Sequence, residues 1–163
     1  VIADDIQDPQ IALTCTSGIT DMSDLFSANI VNDANSFNQN LQHWDVSNVT
    51  DMSLLFNGAS SFNQPLNMWD VSQVTDMNRM FGSAPAFNQP LDNWDVSNVT
   101  DMGFMFLSFQ PASFDQNINN WDVSNVTNMA QMFAGQALNQ PLDNWDVSQV
   151  TDMNAMFAFS QFN

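Results

Sequence analysis

The chain has 163 residues, which is enough for one domain with a substantial core. Its 18 acidic residues are all Asp, Arg79 is the single Lys or Arg, and the formal net charge is −17. This charge argues against nucleic-acid partners, because phosphate needs cations opposite it. The hydrophobic content of 44% argues against disorder, and the lack of a long apolar run argues against membrane insertion.

The first 18 residues precede the repeated part of the chain. They include the run IALT at 11–14, which is short, apolar and compatible with a β-strand. We predict an N-terminal extension with a cap strand over 1–18 and a single solenoid of about six repeats over 19–163. The first repeat is degenerate and corresponds to SGITDMSDLF, which starts at Ser17.

One phrase recurs through the rest of the chain with little change. WDVSNVTDM or a close variant begins at five tryptophans spaced 25, 25, 27 and 24 residues apart: Trp44, Trp69, Trp94, Trp121 and Trp145. A fixed period of this length is typical of architectures in which each repeat packs against its neighbours. We predict that the tryptophans form a core ladder, with the indole of one repeat above that of the next.

Two hydrophobic periods alternate within each repeat. The apolar residues of segment 49–59 fall on one face of a helix: Val49, Met52, Phe56 and Ala59. We therefore predict a short helix that begins near Thr50. In segment 61–71 the apolar residues are separated by Asn, Gln and Pro65, which predicts a very short strand.

The repeat FNQPLxxWDVSNVTDMxxMF closely resembles the repeat of the BspA-like surface proteins, often met as mycoplasma-type lipoprotein repeats. The resemblance covers about 37–157, and the copy at Ser17 extends it. It implies an irregular, leucine-rich-repeat-like solenoid that is extracellular or on the cell surface and is associated with adhesion. It implies no catalytic residues. The predicted fold class is therefore a repeat solenoid of this kind, with a short strand and a short helix in each coil of about 25 residues.

The Asp that follows each tryptophan is a candidate calcium ligand. Stacked repeats would place these carboxylates in one column: Asp45, Asp70, Asp95, Asp122 and Asp146. Calcium prefers several oxygen ligands, so a calcium site is one interpretation. The other is an Asx-turn at each corner, and the absence of a D-x-D-x-D-G loop favours it. We therefore expect no cofactor, with calcium as the alternative.

Three copies of Asn-Val-Thr match the N-glycosylation sequon: Asn48, Asn98 and Asn125. Two other repeats have Gln at this position, so the repeat itself does not require Asn. The sequons predict glycosylation only in a secreted eukaryotic chain, and in a bacterial protein they are polar corner residues.

The two ends of the repeated part suggest self-association. Phe162 and Asn163 begin another copy of FNQP, which predicts an apolar end face and an unpaired edge there. We expect Phe159 and Phe162 at one end, and Ile11 and Leu13 at the other, to join copies head to tail. A head-to-tail contact of this kind is open-ended and generates filaments.

These observations leave two functions open. The first is a non-enzymatic extracellular structural protein that stacks into fibres or a rigid surface scaffold. The second is a cell-surface adhesin module that binds a host or matrix protein or a glycan. An enzyme is disfavoured, because the chain lacks Glu, Lys and Tyr and has one His and one Cys.

Overall fold

The structure is a computed structural model that describes residues 16–30 and 33–163. The predicted cap strand, including Ile11 and Leu13, lies outside this range. Within it, the one helix is a 3-10 turn at Ala34–Ser36, and β-pairing is limited to five isolated parallel bridges. The described part contains no helix that is long and apolar enough to cross a membrane.

The predicted fold class is therefore wrong. Segment 49–59 is not an α-helix, and segment 61–71 is not a strand. Most of the described chain consists of turns and irregular backbone, so the short strand and short helix expected of a leucine-rich-repeat-like solenoid are absent from it. What the structure has instead is a series of tight turns that are hydrogen-bonded from one repeat to the next.

The backbone of segment 52–59 explains why a helical hydrophobic period does not produce a helix. Alternate N–H groups donate to the carbonyl three residues earlier, at 2.9 to 3.3 Å, and so form consecutive turns: Leu55, Asn57 and Ala59. The N–H groups that alternate with these donate to main-chain carbonyls of the next repeat, at 2.8 to 3.0 Å: Met52 to Asp76, Leu54 to Asn78, and Phe56 to Met80. Because half of the N–H groups leave the repeat, the i to i−4 bonds of an α-helix cannot form.

A residue with positive φ lies in the first of these turns in every repeat. The φ values lie between 52° and 60° and none of the residues is glycine: Asp24, Leu54, Arg79, Phe104, Gln131 and Ala155. The left-handed conformation costs a non-glycine residue about 1 kcal/mol. In the first five, the N–H of this residue donates to the next repeat, and that hydrogen bond offsets part of the cost.

The FNQP segment joins repeats through side chains. The Oδ1 of Asn63 accepts hydrogen bonds from the N–H of Asn88 and from Nε2 of Gln89, both at 3.0 Å. Three other residues make the same pair of contacts with the following repeat: Asn38, Asn88 and Asp115. Proline, which has no N–H to donate, follows this pair in two of the four repeats, and Asn follows it in the other two. The amide or carboxylate ladder forms in both cases and takes the place of the backbone ladder of a strand.

The core is built from aromatic columns that run through the repeats. Neighbouring rings of the first column lie 5.5 to 5.7 Å apart and within 13° of parallel: Phe26, Phe56, Phe81, Phe106, Phe133 and Phe157. A second column has spacings of 5.8 to 6.2 Å: Phe37, Phe62, Phe87 and Phe114. These columns belong to one continuous cluster of buried side chains from Met22 to Met156.

Candidate functional site

The tryptophans of the predicted core ladder link adjacent repeats. Four of them donate from Nε1 to a main-chain carbonyl of the preceding repeat at 3.0 to 3.1 Å: Trp69 to Leu41, Trp94 to Leu66, Trp121 to Leu91, and Trp145 to Ile118. The rings of Trp94 and Trp121 stack 6.3 Å apart. Four of the tryptophan rings contact a phenylalanine ring: Trp44, Trp69, Trp94 and Trp145. Trp145 is only partly buried, but the other four are at most 4% exposed.

The carboxylates predicted as calcium ligands occupy separate, exposed corners. In each repeat the Asp Oδ1 accepts from the N–H two residues on, at 3.0 to 3.1 Å: Asp45, Asp70, Asp95, Asp122 and Asp146. Hydrogen bonds from a neighbouring serine lower the pKa of three of them: Asp45, Asp122 and Asp146. Among the described residues, no three acidic, His or Cys side chains converge as metal ligands. Calcium binding at this column stays a prediction.

A second carboxylate column lies along the parallel bridges and is partly buried. Burial, followed by the charges of Asp101 and Asp51, raises the pKa of Asp76 above its ordinary value. The amide of Asn128 donates to both oxygens of Asp101, at 3.0 and 3.1 Å, and Asn78 also donates to Asp101 at 3.1 Å. The amides therefore offset part of the repulsion between stacked carboxylates.

The three sequon asparagines are exposed, and two of them bond the preceding repeat. Nδ2 of Asn98 donates to the carbonyl of Ser72, and Nδ2 of Asn125 donates to that of Ser97, both at 2.8 Å. These contacts give the two amides a structural role at the corner. Glycosylation of Asn48, Asn98 and Asn125 stays a prediction.

The outer face of the last repeat exposes side chains that are buried at equivalent positions elsewhere. Val147 and Met153 are each 40% exposed, whereas their counterparts in the four preceding repeats are at most 1% exposed. Phe162, predicted for self-association, stacks on Phe157 at 4.3 Å but remains 37% exposed. Phe159, predicted with it, is 99% exposed and lies beside the loop that follows Phe106.

The backbone edges at the two ends of the described stack are complementary. No described carbonyl accepts from the N–H groups of Met153, Ala155 and Phe157, which correspond to donors used in every earlier repeat. At the other end, no described N–H donates to the carbonyls of Asp21, Ser23 and Leu25. Their counterparts at Asp51, Ser53 and Leu55 accept at 2.9 to 3.0 Å. One end therefore presents three donors beside the unused carbonyl of Thr151, and the other presents three acceptors beside the unused N–H of Thr20, among the described backbone groups.

Sequence reasoning missed both the amide ladder and the polarity of these edges. The recurrence of Asn-Gln, or Asp-Gln in one repeat, at the same position was a usable signal for the ladder, because these side chains supply the acceptors and donors that it needs. No sequence signal indicated which edge carries the donors, since this depends on which backbone N–H groups point toward the next repeat.

A family described as "Mycoplasma protein of unknown function, DUF285" matches residues 3–112 and 109–163. This match confirms the resemblance to mycoplasma-type repeats at the level of the family. The family description states no function. No curated protein and no solved structure matches the chain.

Proposed function

The chain belongs to the DUF285 family, and on this premise we propose that it is a non-enzymatic, extracellular structural protein whose copies join head to tail. The observation that carries the proposal is the pair of complementary edges. Met153, Ala155 and Phe157 offer three donors at one end, and three acceptors lie in the same register at the other. A second copy would continue the hydrogen-bond pattern found between successive repeats.

The edge chemistry specifies the geometry of the contact. Two copies that met through the same face would bring donors opposite donors, and this arrangement leaves N–H groups without acceptors. The carbonyls of Met153, Ala155 and Phe157 are already used by turns within the repeat. A head-to-tail contact satisfies both edges, and because it leaves one of each edge open, growth can continue.

The apolar face and the charge act in opposite directions on this association. Completing the burial of Met153, Val147 and Phe162 contributes roughly 2 kcal/mol to the free energy of association. The three hydrogen bonds between copies add about 1 kcal/mol each. Two chains of net charge −17 repel one another, and salt screens that repulsion. We therefore expect association to strengthen between low salt and physiological or higher salt.

The test uses Met153→Asp, which places a charge on the exposed end face, with Met68→Asp as the matched control. Met68 is 70% exposed and lies away from both ends. Sedimentation velocity at increasing protein and salt concentrations should show association of the wild type and of Met68→Asp, but not of Met153→Asp. The proposal is wrong if the wild type stays monomeric at millimolar concentration in high salt.

Mixing the variants tests the direction of the contact. Met153→Asp keeps its acceptor edge, so it should bind the donor end of a wild-type assembly and stop growth there. Added in equal amount, it should shorten wild-type assemblies, and Met68→Asp should not. A contact between identical faces would predict no such shortening.

An adhesin module is the second candidate function, and one observation favours it. Phe109 is 84% exposed and Phe159 is 99% exposed, whereas nine phenylalanines of the core are at most 1% exposed. Exposed aromatic side chains at a cleft are typical of binding surfaces. The partner would be a glycan or a host or matrix protein.

A further inference from the structure

The loop after Phe106 is the longest insertion among the repeats from Trp44 onward, and it borders a cleft of about 520 Å³. Phe109 and Pro111 come from this loop, Phe159 comes from the last repeat, and Gly135 also lines the cleft. The volume falls in the range of small-ligand sites, about 300 to 1,000 Å³. The cleft therefore has the size and the aromatic content of a binding site.

The loop that carries Phe109 is anchored at both ends. The N–H of Ser108 donates to the carbonyl of Ala134 at 2.9 Å, and Ser113 donates to Pro85 from its N–H at 3.2 Å and from Oγ at 2.7 Å. Within the loop, Oγ of Ser108 bonds the backbone of Gln110 at both N–H and carbonyl. Phe109 is thus presented to solvent on a hydrogen-bonded loop, which lowers the entropic cost of binding.

The polar side chains of the cleft are neutral: the amides of three glutamines and the hydroxyl of Ser108. None of the residues that line it is ionisable, although the chain has 18 Asp. The side-chain amides of Gln110 and Gln161 have no hydrogen-bond partner among the described residues, whereas that of Gln136 is used by Phe106 and Phe114. Each unpaired amide offers both a donor and an acceptor, as a sugar hydroxyl does.

We propose that this cleft binds a neutral saccharide, with the C–H faces of its sugar rings on Phe109 and Phe159 and its hydroxyls on Gln110 and Gln161. A cationic ligand finds no carboxylate in the lining, and an anionic ligand is repelled by the net charge of −17. The inference rests on the adhesin function proposed above and does not require head-to-tail association.

The probes are three neutral disaccharides, maltose, lactose and N,N′-diacetylchitobiose, titrated to about 20 mM and followed by amide chemical shifts. The experiment uses Met153→Asp, so that binding is measured without association through the end face. At least one disaccharide should shift the amides of Phe109, Gln110, Ala112 and 159–161 saturably. At low salt 3′-sialyllactose, which adds one carboxylate to lactose, should bind more weakly than lactose.

The variants Phe109→Ala and Phe159→Ala should each weaken binding about tenfold or more. Both side chains are exposed, so the fold should be retained, and tryptophan fluorescence checks this. Met68→Ala removes another exposed apolar side chain and should leave the affinity unchanged. The proposal fails if no disaccharide gives saturable shifts, or if Phe109→Ala and Met68→Ala behave alike. If Phe109→Ala instead abolishes association of the otherwise wild-type chain, the cleft is a contact between copies, and that too would overturn it.

Discussion

Three glycines with positive φ test how closely the repeats approach one another. Gly18, Gly58 and Gly135 have φ of 89°, 80° and 77°, so alanine carries a similar backbone penalty of about 1 kcal/mol at each. Their surroundings differ. A methyl group at Gly18 meets nothing within 4 Å, and at Gly58 it lies 2.5 Å from the Cβ of Ala28. At Gly135 it overlaps the main-chain oxygen of Ser108.

The expected losses of stability follow this order. Gly18→Ala should cost about 1 kcal/mol, the backbone penalty alone. Gly58→Ala should cost more than Gly18→Ala, because the Cβ of Ala28 gives way only if its backbone shifts, and less than Gly135→Ala, where the added methyl meets a main-chain oxygen. Gly135→Ala should cost about 3 kcal/mol, because Ser108 is held by the hydrogen bond to Ala134 and overpacking adds about 1 to 3 kcal/mol.

Thermal unfolding followed by circular dichroism measures these differences. For a chain of this size about 1 kcal/mol corresponds to about 3 °C, so Gly135→Ala should lower Tm by about 9 °C and Gly18→Ala by about 3 °C. Equal shifts for Gly18→Ala and Gly135→Ala would refute the close approach of the third and fourth tryptophan-containing repeats. A shift for Gly135→Ala alone would instead mean that positive φ carries no penalty.

Further predictions concern the inner carboxylate column and the corners. Asn128→Asp replaces an amide that donates two hydrogen bonds to Asp101 with another carboxylate; it should cost about 2 kcal/mol at pH 7, with most of the loss recovered near pH 4. The folded-state pKa of Asp76 is raised above 3.8, so its contribution to stability is present below that pH and is lost as the pH rises. Relative to the wild type, Asp76→Asn should therefore raise stability more at pH 7 than at pH 4. The pKa of Asp122 is lowered, so its contribution is present above pH 3.8 and is lost on acidification; Asp122→Asn should lower stability at pH 7 and have little effect at low pH. Chemical denaturation at the two pH values measures all three, and shifts of the same sign for Asp76→Asn and Asp122→Asn would contradict the assigned causes.

The repeat unit and its apolar positions were accessible from the sequence, but the backbone conformation was not. Val49, Met52 and Phe56 are buried as their spacing indicates. That spacing does not separate a helix from a chain of turns, because both bring every third or fourth residue to one side. The φ of Leu54, 60°, is incompatible with a helix and leaves the chain of turns. Leucine gives no sequence signal for positive φ, so this could not be predicted.

The membership of the family was predictable, and the candidate sites were predictable only in part. A long phrase repeated five times is specific, and the family match confirms it. Phe162, which the sequence predicts at an apolar end face, is 37% exposed in the structure. The cleft at Phe109 was not found from the sequence, because it depends on how one loop is anchored against Ala134 and Pro85.

Amide hydrogen exchange tests the central claim most directly, because alternate N–H groups of the stacked turns donate to the next repeat, and their counterparts in the last repeat lie at an open edge. In dilute solution the amides of Leu54, Phe104 and Gln131 should be protected, because each donates to the next repeat. The amide of Ala155, at the open edge, should exchange freely. In concentrated solution at high salt, Ala155 should become protected as a second copy covers the edge. Exchange of Leu54 as fast as that of Ala155 would contradict the pairing between repeats, and exchange of Ala155 that is independent of concentration would contradict the head-to-tail contact.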